Sequence, residues 1–222
     1  MTEELEFSKK YNEKHSENYF HKHNTGFWRR LSASRDIQVA RKALKLAGNP
    51  KTVLDVPCGT GRFWGLLTEI PDRVIYACDN SQDMLDTGLK FRAPEIVKRI
   101  ESFQGSAFDL KLDDGCVESV FCIRLIHHMG DTEDRLKLLQ ELKRVSSSTI
   151  IISLWVDGNY QSWRRKKKES KSKRKRESYQ NRFVISAKEI ESEFEKTGLK
   201  VEHQIDFMPY YSMWRTYVLR KV

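Results

Sequence analysis

Short apolar runs rich in β-branched residues alternate along this chain with stretches in which apolar residues recur every three or four positions. Thr52 to Val56 (TVLDV), Val74 to Cys78 (VIYAC), Ile100 to Gln104, Val117 to Ile123 (VESVFCI) and Thr149 to Trp155 (TIIISLW) read as strands. Near-continuous apolar composition suits a strand covered on both faces of a parallel sheet. Between them, Phe63 to Glu69, Gln82 to Leu89 and Thr132 to Val145 carry helical spacing. Ahead of the first strand, Leu31, Ile37, Ala40, Leu44 and Ala47 predict a helix that closes at Gly48-Asn49-Pro50. Near the end, Ser186 and Glu189 stand at capping-box spacing and open a helix through Ile190 and Phe194, stopped by Gly198. Two last strands follow, Leu199 to Phe207 and Ser212 to Leu219, joined through Pro209.

Strands alternating with helices at this spacing imply β-α-β crossovers. The expected architecture is therefore α/β: a Rossmann-like, doubly wound, seven-stranded sheet, mostly parallel with an antiparallel edge strand, in three α/β/α layers. One domain over residues 1–222 accommodates it. Residues 1–48 supply an N-terminal helical lid region, and residues 157–182 are an insertion that interrupts the regular layout.

Composition changes this picture in one place. The net charge is +9, and the segment Arg164 to Arg182 holds 11 Lys and Arg against two acids, so the rest of the chain is balanced. A run this basic attracts a polyanion, RNA or an anionic headgroup, through residues 164–176; a solvated arm is the alternative. The four cysteines, Cys58, Cys78, Cys116 and Cys122, have no C-x-x-C pairing or zinc-type spacing and are expected as buried free thiols; no metal site is expected. No apolar run reaches the ~20 residues of a membrane span, and the first thirty residues lack a signal-peptide pattern, so a cytoplasmic protein is expected.

The candidate chemistry gathers at the carboxyl ends of the predicted strands, where open α/β sheets bind ligands. In VLDVPCGTGRF, Asp55 lies within the strand before the turn, and Gly59 and Gly61 shape a turn into a helix whose free N–H groups suit polar ligand atoms. Asp79 closes the second strand, at the distance from that turn expected of a carboxylate accepting hydrogen bonds from two ribose hydroxyls. Ser106-Ala107-Phe108 follow the third strand, and Arg124-Leu-Ile-His-His128 the fourth.

This ordered set resembles the class I S-adenosylmethionine-dependent methyltransferases, and is similar to the ubiquinone and menaquinone biosynthesis group. The resemblance runs over Thr52 to Trp155 through VLDVPCGTG, Asp79, Gly105-Ser106-Ala107, Leu125-Ile126-His127-His128 and Glu141-Leu-Lys-Arg144-Val145. It implies S-adenosylmethionine as cofactor, with Asp55, Pro57, Cys58, Gly59, Thr60 and Gly61 facing its methionine portion and Asp79 on its ribose. Ser106, Ala107 and Phe108 would border adenine, and Asn80, Met84 and Arg124 complete the cofactor set. Pro57 stands where the family has glycine and Ser106 where it has aspartate. Proline withdraws one N–H but suits an extended strand exit, so the loop works if position 57 needs neither positive φ nor a donor.

For the reaction, the resemblance implies methyl transfer to a small-molecule or lipid-linked acceptor. An RNA acceptor gripped by residues 164–182 is the alternative, and a non-catalytic binding protein a third reading. His127 and His128 are the candidate bases, against a capping or packing role. On a continuing strand adjacent side chains point to opposite faces, so one of the pair at most faces the site. Arg124 contacts ligand or forms an ion pair. Tyr19 and Trp28, and Tyr210 and Tyr211 with Trp214, are candidate acceptor-pocket residues, with packing on the sheet edge as the alternative.

Overall fold

The computed structural model describes residues 16–17, 20, 26–171 and 182–222. Its seven strands are β1 (Thr52–Asp55), β2 (Val74–Asp79), β3 (Ile100–Gln104), β4 (Val117–Ile123), β5 (Ser146–Trp155), β6 (Leu199–Asp206) and β7 (Trp214–Lys221). They form one sheet in the order β3-β2-β1-β4-β5-β7-β6. The first five run parallel, whereas β7 is antiparallel to both β5 and β6. The expected fold is thus present, with an edge strand, β6, that pairs antiparallel to its neighbour. The last strand itself slides one place inward, between β5 and β6, because a hairpin lets it pair on both sides.

Alternate residues of the apolar strands feed two cores. Leu54, Val120, Ile150, Ile152 and Leu219 pack with α5 (Thr132–Val145) and α7 (Ala187–Lys196) on one face. Val53, Ile75, Phe121, Ile151 and Val218 pack on the other under α1 (Phe27–Leu46), which buries Val39, Ala40, Ala43 and Leu44. The short α2 (Trp64–Leu67), α3 (Gln82–Phe91) and the single turn α4 (Pro94–Val97) complete that layer, with Trp64 and Leu85 buried against Ala77. The region expected as a lid therefore contributes a packing helix; Tyr19 lies outside the described residues, and Trp28 is placed in α1 by its backbone.

Three local expectations change. The insertion continues as a helix, α6 (Tyr160–Lys171), with residues 172–181 outside the described set. Cys116 is exposed, whereas Cys58, Cys78 and Cys122 are buried free thiols as expected. The capping box does not form: Ser186 makes no side-chain cap bond, and Glu189 instead accepts from Arg135 at 2.6 Å. Arg135 is almost wholly buried and also meets both oxygens of the equally buried Glu193, at 2.9 and 2.6 Å, tying α5 to α7. It also donates to Met129 O, Gly130 O and Thr132 Oγ1.

Removing one member of a buried pair leaves a charge without a counterion inside the protein. Arg135→Ala is therefore expected to lower stability by about 3–5 kcal/mol in urea unfolding. Arg135→Met combined with Glu193→Leu is expected to cost less than the single change.

Candidate functional site

At the carboxyl ends of β1, β2 and β4 the chain encloses a cavity of about 210 Å³. Its wall is built first from the turn after β1. The Val56 N–H donates to Phe121 O on β4 at 3.1 Å and the Cys58 N–H to Cys78 O on β2 at 2.9 Å, so the turn is pinned on both sides. Pro57 sits between these donors; the Val56–Pro57 bond is cis, and positive φ falls instead on Gly59 (55°) and Gly61 (67°). Position 57 thus needs neither a donor nor a left-handed backbone. Gly61 does not line the cavity. A Cβ there would lie 2.4 Å from the Trp64 ring, so this glycine lets the buried indole pack under the turn.

Asp79 meets the turn directly. The Gly59 N–H donates to its Oδ2 at 2.8 Å and the Ser81 N–H to its Oδ1 at 3.0 Å. These bonds aim the carboxylate into the cavity, yet each oxygen keeps a lone pair for a further donor. Burial raises its pKa, and the backbone N–H donors oppose that rise. Asp55 lies behind it, fully buried, with Oδ2 lacking a hydrogen-bond partner among the described residues. Burial first, then the neighbouring Asp79 charge, push the Asp55 carboxyl well above the usual carboxylate range.

The third segment is Gly105 to Phe108. The Gly105 N–H is held by Asp79 O at 3.0 Å, and Ser106 Oγ accepts from the Phe108 N–H at 3.2 Å, which closes a local turn. The chain just beyond is clamped by the Glu141-x-x-Arg144 pair of α5: Glu141 Oε1 accepts from the Leu110 N–H at 2.6 Å, while Arg144 donates to Leu110 O and Leu112 O. That motif holds a loop and lies outside the cavity wall.

The cavity wall brings together Pro57, Cys58, Gly59, Thr60, Asp79, Asn80, Met84, Ser106, Ala107, Phe108 and Arg124, along with His127 and His128. Both histidines line it because β4 ends at Ile123 and the chain turns: Arg124 adopts φ 68°, and Ile126–His128 form a 3-10 turn. Opposite-face geometry applies to a continuing strand and fails here, so the two rings lie 4.1 Å apart, centroid to centroid. Tyr210 and Tyr211 lie elsewhere, exposed on the β6–β7 connection; of that aromatic group Trp214 lines the cavity.

Sequence reasoning missed Arg62, Phe63 and Arg182 in the wall, and Asp36 behind it. Asp36, on α1, accepts from Arg62 and, at 2.6 Å, from Arg124, whose guanidinium also lies 4.6 Å above the Trp214 ring. The signal for Arg62 was its place beside Gly61; Asp36 carried none, since its partners lie 26 and 88 residues away.

His127 is nearly enclosed, packed between Trp155 at 5.1 Å and Trp214 at 4.8 Å, and its Nδ1 has no hydrogen-bond partner among the described residues. Burial, with like charge from His128, Arg182 and Arg124, pushes its pKa down to about 2. The ring is therefore neutral at physiological pH and poorly suited to holding a proton. The same shift predicts acid sensitivity: stability is fully present above the ordinary imidazole pKa near 6.5 and falls as pH drops toward 2, because only the unfolded chain takes up the proton. In urea unfolding, the loss of stability between about pH 7 and pH 5 is expected to be smaller in His127→Phe, by up to about 2 kcal/mol.

Residues 53–148 match the model of a methyltransferase domain family. In sequence, the chain is 25% identical over 115 residues to tRNA (carboxymethyluridine(34)-5-O)-methyltransferase ALKBH8 of Macaca fascicularis, covering 51% of this chain and 16% of the relative. It is 28% identical over 115 residues to the Xenopus tropicalis protein of the same name, covering 50% and 17%. The match thus takes in only a small part of these relatives' length. In structure, magnesium protoporphyrin IX methyltransferase from Synechocystis, crystallised with SAH, superposes with a TM-score of 0.73 at 15% identity over 89% of each chain. A SAM-dependent methyltransferase from Aquifex aeolicus gives 0.61 at 22% identity over 82% of this chain and 89% of that one. A pinned glycine turn carrying a buried carboxylate, on this fold and within this family match, marks residues 53–148 as a methyltransferase domain with S-adenosylmethionine as its cofactor.

Proposed function

We propose that this methyltransferase acts on a small-molecule or lipid-linked acceptor that carries an anionic group. The observation that carries the reading is the convergence on one cavity of Arg124 and Arg182 with His127 and Trp214, two guanidinium groups beside flat, neutral rings. Guanidinium forks suit carboxylate or phosphate, and the rings suit a planar or apolar body next to it.

S-adenosylmethionine, when bound, supplies a methyl group on a sulfonium, which departs as a neutral thioether. In our reading Asp79 takes its ribose hydroxyls, the Pro57–Thr60 turn its methionine portion, and Ser106 to Phe108 border its adenine, with Asn80 and Met84 alongside. Asp55 lies behind this wall, its pKa raised by burial and by the Asp79 charge. The chain's own contribution to transfer is orientation in a partly dry cleft, which removes much of the entropic barrier to an in-line displacement. His127, neutral and unable to hold a proton at working pH, serves as a hydrogen-bonding wall through Nδ1. If the acceptor must lose a proton, His128 is the histidine placed to take it.

A second reading, an RNA acceptor, is favoured by the names of the sequence relatives and by the basic residues Arg164 to Lys168 on α6. Incubation with methyl-labelled cofactor and a fractionated cell extract separates the two. Label in the lipid or metabolite fraction is expected, and label in RNA would replace the first reading with the second.

Two substitutions test the assigned roles. Asp79→Ala is expected to weaken S-adenosylmethionine binding by about 1–3 kcal/mol in calorimetry, through lost ribose hydrogen bonds. Arg182→Gln is expected to leave that affinity unchanged while raising KM for the acceptor by about 10- to 100-fold, the size of a lost charged hydrogen bond.

A further inference from the structure

Outside the crevice, one face of the molecule concentrates exposed aromatic side chains beside the most basic stretch of the chain. Tyr160 and Trp163 stand on successive turns of α6, their rings 5.9 Å apart. Tyr211, on the β6–β7 connection, stacks on Tyr160 at 5.6 Å with nearly parallel planes. The connection is fastened to the helix by backbone bonds: the Tyr160 N–H donates to Tyr210 O at 2.9 Å and the Gln161 N–H to Tyr211 O at 3.0 Å. At its tip Tyr210 holds φ 62°, outside the region a bulky residue favours, and is 90% exposed; Met208 and Trp163 are about half exposed. A rigid support thus presents apolar surface to solvent, and the next helical residues, Arg164, Arg165, Lys166, Lys167 and Lys168, add five positive charges.

The charge demands an anionic partner, and the rings decide its class. A single-stranded nucleic acid stacks its bases on open aromatic faces. Here Tyr160 and Tyr211 cover one another, and the Lys167 Nζ sits 4.9 Å above the centre of the Trp163 ring. One face of each of these rings is thus already covered, and a Met208 thioether and the Tyr210 ring stand exposed beside the lysines. Trp and Tyr combine an apolar body with a polar tip and settle at the headgroup level of a bilayer, and a basic helix beside them is drawn to anionic lipid. No helix among the described residues is long and apolar enough to cross a membrane, so this contact is peripheral.

We infer that the face formed by α6 and the β6–β7 connection docks on an anionic lipid bilayer. It sits next to the crevice: Arg165 lies 5.2 Å over the Trp155 ring and donates to Arg182 O at 3.0 Å, and Arg182 lines the cavity. Docking through α6 brings the arginine side of the crevice to the headgroup layer, where a lipid-linked anionic acceptor would enter. The inference deepens the acceptor reading given above, and its test needs no turnover.

The full chain is sedimented with vesicles of phosphatidylcholine alone and of phosphatidylcholine mixed with phosphatidylglycerol. Binding to the mixed vesicles only, weakening with salt, is expected. Trp163→Ala with Tyr210→Ala is expected to reduce partitioning about tenfold through lost apolar burial. Lys166→Gln, Lys167→Gln and Lys168→Gln together are expected to reduce it about a hundredfold. Unchanged S-adenosylmethionine binding in both variants verifies that they fold. No sedimentation, equal sedimentation with uncharged vesicles, or partitioning unmoved by both variants would overturn the inference. So would binding to a single-stranded RNA oligonucleotide that the aromatic pair abolishes while vesicles fail to bind. Failure here leaves the acceptor to be judged by the labelled extract alone.

Discussion

The hydrogen bond from the Gly59 N–H to Asp79 Oδ2 joins the turn after β1 to the end of β2, and the crevice is organised around it. It is possible because β1 and β2 are parallel neighbours in register, Asp55 beside Ala77, so that β2 runs on past the end of β1 and brings Asp79 level with the turn. Burial costs Asp79 part of its hydration and raises its pKa. Backbone donors from Gly59, Asn80 and Ser81 offset that cost and keep the carboxylate aimed. Asp55, buried nearby without such donors, is raised further above the usual carboxylate range, by burial first and then by the Asp79 charge.

Charge also links this centre to the N-terminal helix. Asp36 on α1 accepts from Arg62 in the turn and from Arg124 at the end of β4, so a helix that packs mainly through Val39, Ala43 and Leu44 also sets the position of two arginines at the crevice. On the far side, His127, Trp155 and Trp214 form an apolar wall whose outer surface carries Arg165 and Arg182. Cationic groups therefore flank an apolar patch.

Much of this was legible in the residues. The helical patterns, with the short apolar runs, led to the parallel sheet, and parallel crossovers bring the parallel strands' carboxyl ends to the same edge. Hence Asp55, Asp79, Ser106 and Arg124, 69 residues apart at the extremes, were expected near one another and lie together. Where local rules failed, a distant partner had prevailed. Ser186 and Glu189 have the spacing of a capping box, but Arg135, 54 residues away and buried, takes the glutamate. The two histidines escape strand alternation because Arg124 leaves the strand, its N–H bonded to Ser153 Oγ on β5.

What the amino-acid order determined by itself is the succession of elements and the set of residues at the strand ends, since hydrophobic period and turn chemistry act between near neighbours. Only the tertiary structure decided which of those groups carry charge, which side chains complete the wall, and that Tyr210 and Tyr211 face solvent while Trp214 faces the crevice. Those outcomes depend on burial and on pairings across long stretches of chain, and neither leaves a periodic trace in the sequence.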